Sequence, residues 1–163
     1  IVSGLCYIEK KGKWIYENIA SKNHTRGPLK AYRKGCFNAI GGLKESVGWD
    51  TVDELIALYK GWKFKTDKTL IVKHLKPTTV NYNTSSKYSQ GKALYKIRSG
   101  PLLSILSALK ISLKKKQLKI FLFYMTGYYR AWKMNSNFIV TEDEGLFIRK
   151  YRWKMILKKI IRI

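Results

Sequence analysis

The sequence predicts a mixed α/β fold with flanking helices and a helical C-terminal extension. Three observations predict it. The β-branched run "TLIVKHL" at 69–75 has strand composition. Val52, Leu55, Ile56 and Tyr59 recur at i, i+3, i+4 and i+7, the spacing of one helical face. "PLLSILSALKISL" at 101–113 confines its polar positions, Ser104, Ser107 and Lys110, to one narrow helical stripe. With 163 residues, 45% of them apolar, the chain has enough material for a real core, a composition that fits one compact unit and excludes wholesale disorder.

The elements follow in order. Residues 1–9 have a strand-like pattern, "KKGK" at 10–13 reads as a turn, and "WIYENIA" is a second short extended or irregular segment. "PLKAYRK" at 28–34 reads as a strand. In "GCFNAIGGL" Phe37, Ile40 and Leu43 are spaced by three and the Gly41-Gly42 pair closes a short helix. The helix over 52–59 ends at Gly61, and Thr51 with Glu54 matches the S/T-x-x-E capping box, which puts Asp50 on the incoming loop. After Pro77 the polar run "NYNTSSKYSQGK" reads as a loop. Beyond 101–113 come "KKKQ", a second apolar run "LKIFLFYMTGYYRAW", and "TEDEGLFIRKYRWKMILKKIIRI", a helix with acids in its first turn and bases in its last. Neither apolar run reaches the roughly 20 continuous residues that spanning a bilayer requires.

Charge narrows the choice of partners. The net charge is +23, and residues 81–163 carry 18 basic side chains against 3 acidic ones, with no acid between Asp67 and Glu142. Such a stretch is drawn to a polyanion: nucleic acid, anionic lipid or a phosphorylated substrate. Nucleic acid is the least expected, because most of the 11 Tyr, 5 Trp and 6 Phe lie inside apolar runs and no RNP or zinc-finger pattern occurs. The broad apolar face of 101–113 followed by Lys114, Lys115 and Lys116 suits contact with an anionic membrane surface; simple packing on the domain is the other reading. Cys6 and Cys36 sit in apolar surroundings and are expected as buried thiols rather than a disulfide.

Acids are scarce, so "VGWDTVDEL" at 47–55 stands out. Asp53 and Glu54 at a helix start are explained by capping and the helix dipole. Asp50 is not needed for either, and a loop carboxylate beside Trp49 is suited to take a proton from a hydroxyl nucleophile. His24 and His74 are the only histidines and have no H-x-x-H or cysteine partner, which excludes a self-contained zinc site. His74, after a strand, is either a strand-end residue or a metal or phosphate contact at the carboxyl edge of a sheet. No P-loop, nucleophile elbow or Ser-His-Asp ordering is present.

The run "HTRGPLKAYRKGCFNAIGGLKESVGWDTVDELIALYKGW" resembles the second half of the catalytic domain of a family 2 glycosyltransferase. The pieces that carry the resemblance are "RG" before a strand ending "YRK", the F-x-x-IGGL helix, W-D-x-x-D-E with "GW" closing its helix, and a strand ending in His; the match loosens after residue 80. The resemblance implies a partial GT-A fold and inverting transfer of a sugar from a nucleoside-diphosphate sugar to a hydroxyl of a glycan or lipid-linked acceptor. It puts the catalytic base on Asp50, with Asp53 as second choice, since Trp49 stands where the family usually has Glu. Arg26, Gly27, Trp49 and Glu54 would border the substrate, and His74 would touch metal or diphosphate. A divalent metal, Mg or Mn, would be held mainly by a D-x-D element; none occurs here, so it and the nucleotide-binding half are expected upstream of Ile1, and this stretch alone should be inactive. The Q-x-x-R-W motif of processive relatives is also lacking, which implies a single-addition enzyme of polysaccharide or glycoconjugate synthesis.

The expected organisation is then an acceptor-side half over 1–80, a basic polar loop over 81–100 and an amphipathic, basic helical extension over 101–163, held on the cytoplasmic face of a membrane. The alternative is a non-enzymatic basic module that binds nucleic acid or anionic lipid.

Overall fold

The computed structural model describes residues 1–17, 24–25, 27–75 and 87–161. It is mixed α/β, and it divides into two compact units, 1–81 and 82–163, where composition suggested one. Each unit builds its own buried core, a partition that overall composition does not register.

The first unit is an open four-stranded sheet with two helices. Strand β1 (Val2–Lys10) is central. One of its edges pairs antiparallel with β2 (Lys13–Tyr16) near its end and with β3 (Lys30–Ala31) near its start; the other pairs parallel with β4 (Lys65–Lys73). A strand with neighbours on both edges is enclosed, and Ser3 to Cys6 are buried without alternation. The β1–β4 register shifts between Ser3 and Leu5, at Gly4, where a Cβ would fall on the Leu70 carbonyl and the Leu29 side chain. Glycine at a bulge allows that approach.

Helices α1 (Lys34–Ala39) and α2 (Trp49–Tyr59) sit where the periodicity places them. The Gly61 amide bonds the Leu58 carbonyl and the Trp62 amide the Ala57 carbonyl, with Gly61 at φ +80°, so glycine closes α2 as expected. Val52, Leu55, Ile56 and Ala57 pack inward with Cys6, Cys36 and Ile40 in this unit's core. Both cysteines are buried thiols, and burial pushes the Cys36 thiol up. The expected strand over 28–34 shrinks to a 3-10 turn, Gly27–Leu29, and the two residues of β3.

The start of α2 departs from its expected form. Gly48, at φ +77°, is the N-cap; among the described residues no side chain caps the helix, and Asp50 lies in its first turn rather than on the loop before it. Thr51 and Glu54 therefore do not form a capping box, because the helix begins three residues too early for one. The same T-x-x-E pattern does cap at Thr141: its amide donates to Glu144 Oε2 at 2.9 Å, and the Glu144 amide donates to Thr141 Oγ1 at 3.3 Å.

The second unit is helical: α3 (Ser89–Lys96), α4 (Pro101–Lys114), α5 (Leu118–Lys133) and α6 (Glu142–Ile161). Helix α3 falls inside the expected loop over 81–100, of which 81–86 lie outside the described residues. Its apolar Ala93, Leu94 and Tyr95 are buried, and Gly91 with Gly127 lets α3 and α5 touch backbone to backbone. A Cβ at Gly91 would fall on the Tyr124 carbonyl, and one at Gly127 on the Tyr88 carbonyl. The tertiary gain from that approach outweighs the poor loop-like propensity of "KYSQGK".

Helix α4 turns its serine side inward. Ser104 and Ser112 are buried with Leu103 and Ala108, while Leu102, Ile105, Leu109 and Leu113 face out. The hydroxyls are satisfied within the helix: Ser104 donates to the Gly100 carbonyl (2.7 Å), Ser107 to Leu103 (2.7 Å) and Ser112 to Leu109 (2.8 Å). Small residues without unmet hydrogen bonds can pack closely, which is why Ser104 and Ser112 are enclosed, while Lys110 of the expected polar stripe stays exposed.

Candidate active site

The acids of "VGWDTVDEL" meet the segment 24–32, and the three diverge in role. Asp53 has no exposed surface. Lys30 Nζ stands 2.9 and 3.1 Å from its two oxygens, and the Tyr32 hydroxyl donates to Oδ2. The same Lys30 ammonium donates to the Asp50 main-chain carbonyl at 2.5 Å. Lys30 and Tyr32 reach one carboxylate because residues two apart on extended chain share a face. Burial raises the Asp53 carboxyl above the ordinary aspartate range, against the hydrogen bonds from Tyr32 and Lys30 that pull it down. The Tyr32 phenol is pushed well above the usual tyrosine value, first by burial and then by its bond to Asp53.

Glu54 is buried one position on. Its Oε1 accepts from the Thr25 amide at 2.6 Å and from the Thr25 hydroxyl, and its Oε2 lies 2.8 Å from His24 Nδ1. Glutamate at this position thus fastens the 24–25 segment to α2.

Asp50 keeps an open carboxylate. Its side chain is 42% exposed, Oδ2 lies 3.9 Å from His24 Nε2, and a Cβ at Gly27 would stand 3.5 Å from Asp50 Cβ. Gly27 therefore adjoins Asp50. Trp49 turns inward beside it, its indole Nε1 buried and, among the described residues, without a hydrogen-bond partner. Arg26 lies outside the described residues.

His74 is elsewhere. It follows β4, its amide donates to the Tyr7 carbonyl at 2.7 Å, and Nδ1 lies 3.2 Å from Glu17 Oε2. That is the opposite end of β1 from Lys30, which pairs with Ser3. His74 lines a half-open cleft of about 340 Å³ with Glu9, Lys11, Trp14 and Leu75. Among the described residues no cluster of three or more His, Cys, Asp and Glu could hold a metal ion. With Nδ1 engaged by Glu17, His74 offers one ring nitrogen and does not by itself make a site for a divalent ion.

His24, Thr25, Lys30 and Tyr32 escape a reading of the sequence as site residues. The i, i+2 spacing of Lys30 and Tyr32 within "PLKAYRK" was the available signal; nothing in the sequence pairs His24 or Thr25 with Glu54. Lys114, Lys115 and Lys116 are all exposed, at and beyond the end of α4. No family model, curated protein or solved structure matches the chain.

The arrangement can accept a proton. Asp50 presents an oxygen to solvent, with an imidazole behind it whose other nitrogen is oriented by the buried Glu54.

Proposed function

We propose that the first unit is the acceptor-side part of a GT-A, inverting family 2 glycosyltransferase, and that Asp50 is its base. The observation that carries the reading is the division among the three acids: Asp53 and Glu54 are buried with their oxygens bonded, and Asp50 alone of the three exposes its carboxylate. An acceptor hydroxyl of a glycan or lipid-linked sugar donates its proton to Asp50 as its oxygen bonds the anomeric carbon, and the bond to the nucleoside diphosphate breaks with its electrons going to the leaving phosphate. His24, held by Glu54, stands 3.9 Å from the Asp50 carboxylate. Binding of the nucleotide sugar and its divalent metal is left to chain beyond these residues. The exposed apolar run Leu70, Ile71 and Val72 of β4 supports that, because a strand paired in parallel is ordinarily covered on both faces.

The test is Asp50→Asn in the protein that includes the nucleotide-sugar-binding half. Transfer should fall by about 10²–10⁴, the usual worth of a general base, while nucleotide-sugar binding persists. Unimpaired transfer would remove Asp50 from the chemistry; salt-sensitive binding to nucleic acid that ignores this substitution, with no transfer by the parent protein, would favour a basic binding module instead.

A further inference from the structure

The inward turn of Ser104 and Ser112 leaves α4 with an outer surface that none of the described residues of the second unit covers. Leu102, Ile105, Leu109 and Leu113 follow one another at i, i+3, i+7 and i+11 along it, and Leu118 and Leu122 lie on the first turns of α5 just past the turn; all six are between 41% and 75% exposed. Three residues, 115–117, join the two helices, so Leu113 and Leu118 flank the tip of a helical hairpin. Exposed lysines surround them: Lys110 and Lys114 on the flank of α4, Lys115 and Lys116 in the turn, and Lys119 on α5.

We propose that this outer face of α4, with the α4–α5 tip, docks on the anionic surface of a lipid bilayer. The apolar row would enter the boundary between headgroups and acyl chains while the lysines meet lipid phosphates. Complementarity of charge selects this occupant. Five lysines lie within ten positions, and no acid occurs between Asp67 and Glu142 to offset them, so a second copy of the chain would bring like charge against like. A nucleic acid would satisfy the lysines and leave six exposed aliphatic side chains against phosphates. No helix among the described residues is long and apolar enough to cross a membrane, so the contact is interfacial. The inference is independent of the catalytic reading, since it uses no residue of the first unit.

The experiment is co-sedimentation of the chain with vesicles of neutral phosphatidylcholine, alone or mixed with phosphatidylglycerol, at low and high salt. The parent should pellet with the anionic vesicles, less at high salt and least with the neutral ones. Leu109→Gln with Leu113→Gln should lower partitioning on the order of tenfold. Lys114→Gln, Lys115→Gln and Lys116→Gln together should lower it on the order of a hundredfold. All five positions are exposed, so unchanged helical circular dichroism is expected in both variants, and either alone keeps the proposal testable. A parent chain that stays in the supernatant overturns it. So does parent-like binding by the Leu variant, which would mean a purely electrostatic film, or self-association that the Leu variant abolishes, which would assign the face to a second copy.

Discussion

Replacing Asp53 by Asn leaves the shape of α2 intact and removes one charge from a buried pair. The Lys30 side chain is 2% exposed and that of Asp53 not at all, so neither ion can recover its hydration in place. Taking away one member of such a pair costs on the order of 3–5 kcal/mol, because the remaining charge stays in a low-dielectric interior without its counter-ion. Domains are stable by only about 5–15 kcal/mol, so the loss is a large share of the total. With m near 2 kcal/mol/M for urea, the midpoint of the first unit should move down by about 2 M. Lys30→Met should cost as much. The double variant Lys30→Met with Asp53→Leu, which removes both charges and keeps the volume, should recover most of the loss. Hydrogen exchange at the amides of β1 and β4 is the assay of choice, since two compact units need not unfold together and a whole-chain signal would mix them. Single variants within about 1 kcal/mol of the parent, or a double variant no better than the singles, would refute the reasoning and return Asp53 to consideration as a group free for chemistry.

Two further outcomes follow from the structure. The Tyr32 phenol is raised above its ordinary value of 10.0, so its contribution to stability is complete below that pH and is lost as pH climbs beyond it. The stability difference between the parent and Tyr32→Phe, measured by urea titration, should therefore be constant up to about pH 10 and shrink above it; a difference that grows with alkalinity would contradict the buried Tyr32–Asp53 bond. The two T-x-x-E sites should also separate: Thr141→Ala costs about 1 kcal/mol in the second unit, whereas Thr51→Ala stays within about 0.5 kcal/mol, and equal costs would show that Thr51 does cap.

Much of the secondary structure was legible because it is written locally. The i, i+3, i+4 row from Val52, the glycines after α1 and α2, and the dipole-matched ends of α6 each lie within one or two turns of chain, where backbone sterics and side-chain spacing act directly. Asp50 was singled out for the same kind of reason, as the acid that local capping did not require. Helix α3 was missed because its stability comes from Gly91 and Gly127 meeting across two helices, and glycine by itself argues for a loop.

The acids show where local reading stops. Thr51-x-x-Glu54 and Thr141-x-x-Glu144 are the same pattern, yet only the second closes a capping box. What differs is remote. Thr25 and His24 arrive beside Glu54 from about thirty positions upstream, and Lys30 and Tyr32 reach Asp53 from more than twenty, so those carboxylates are bonded across the fold. The serines of α4 make the same point from the other side. By itself the sequence determined which segments form helix or strand, the concentration of acids at one helix start, and the excess of positive charge. Only the tertiary structure decided which acid stays open to solvent and which face of α4 is left bare, because both depend on which distant groups satisfy hydrogen bonds and exclude water.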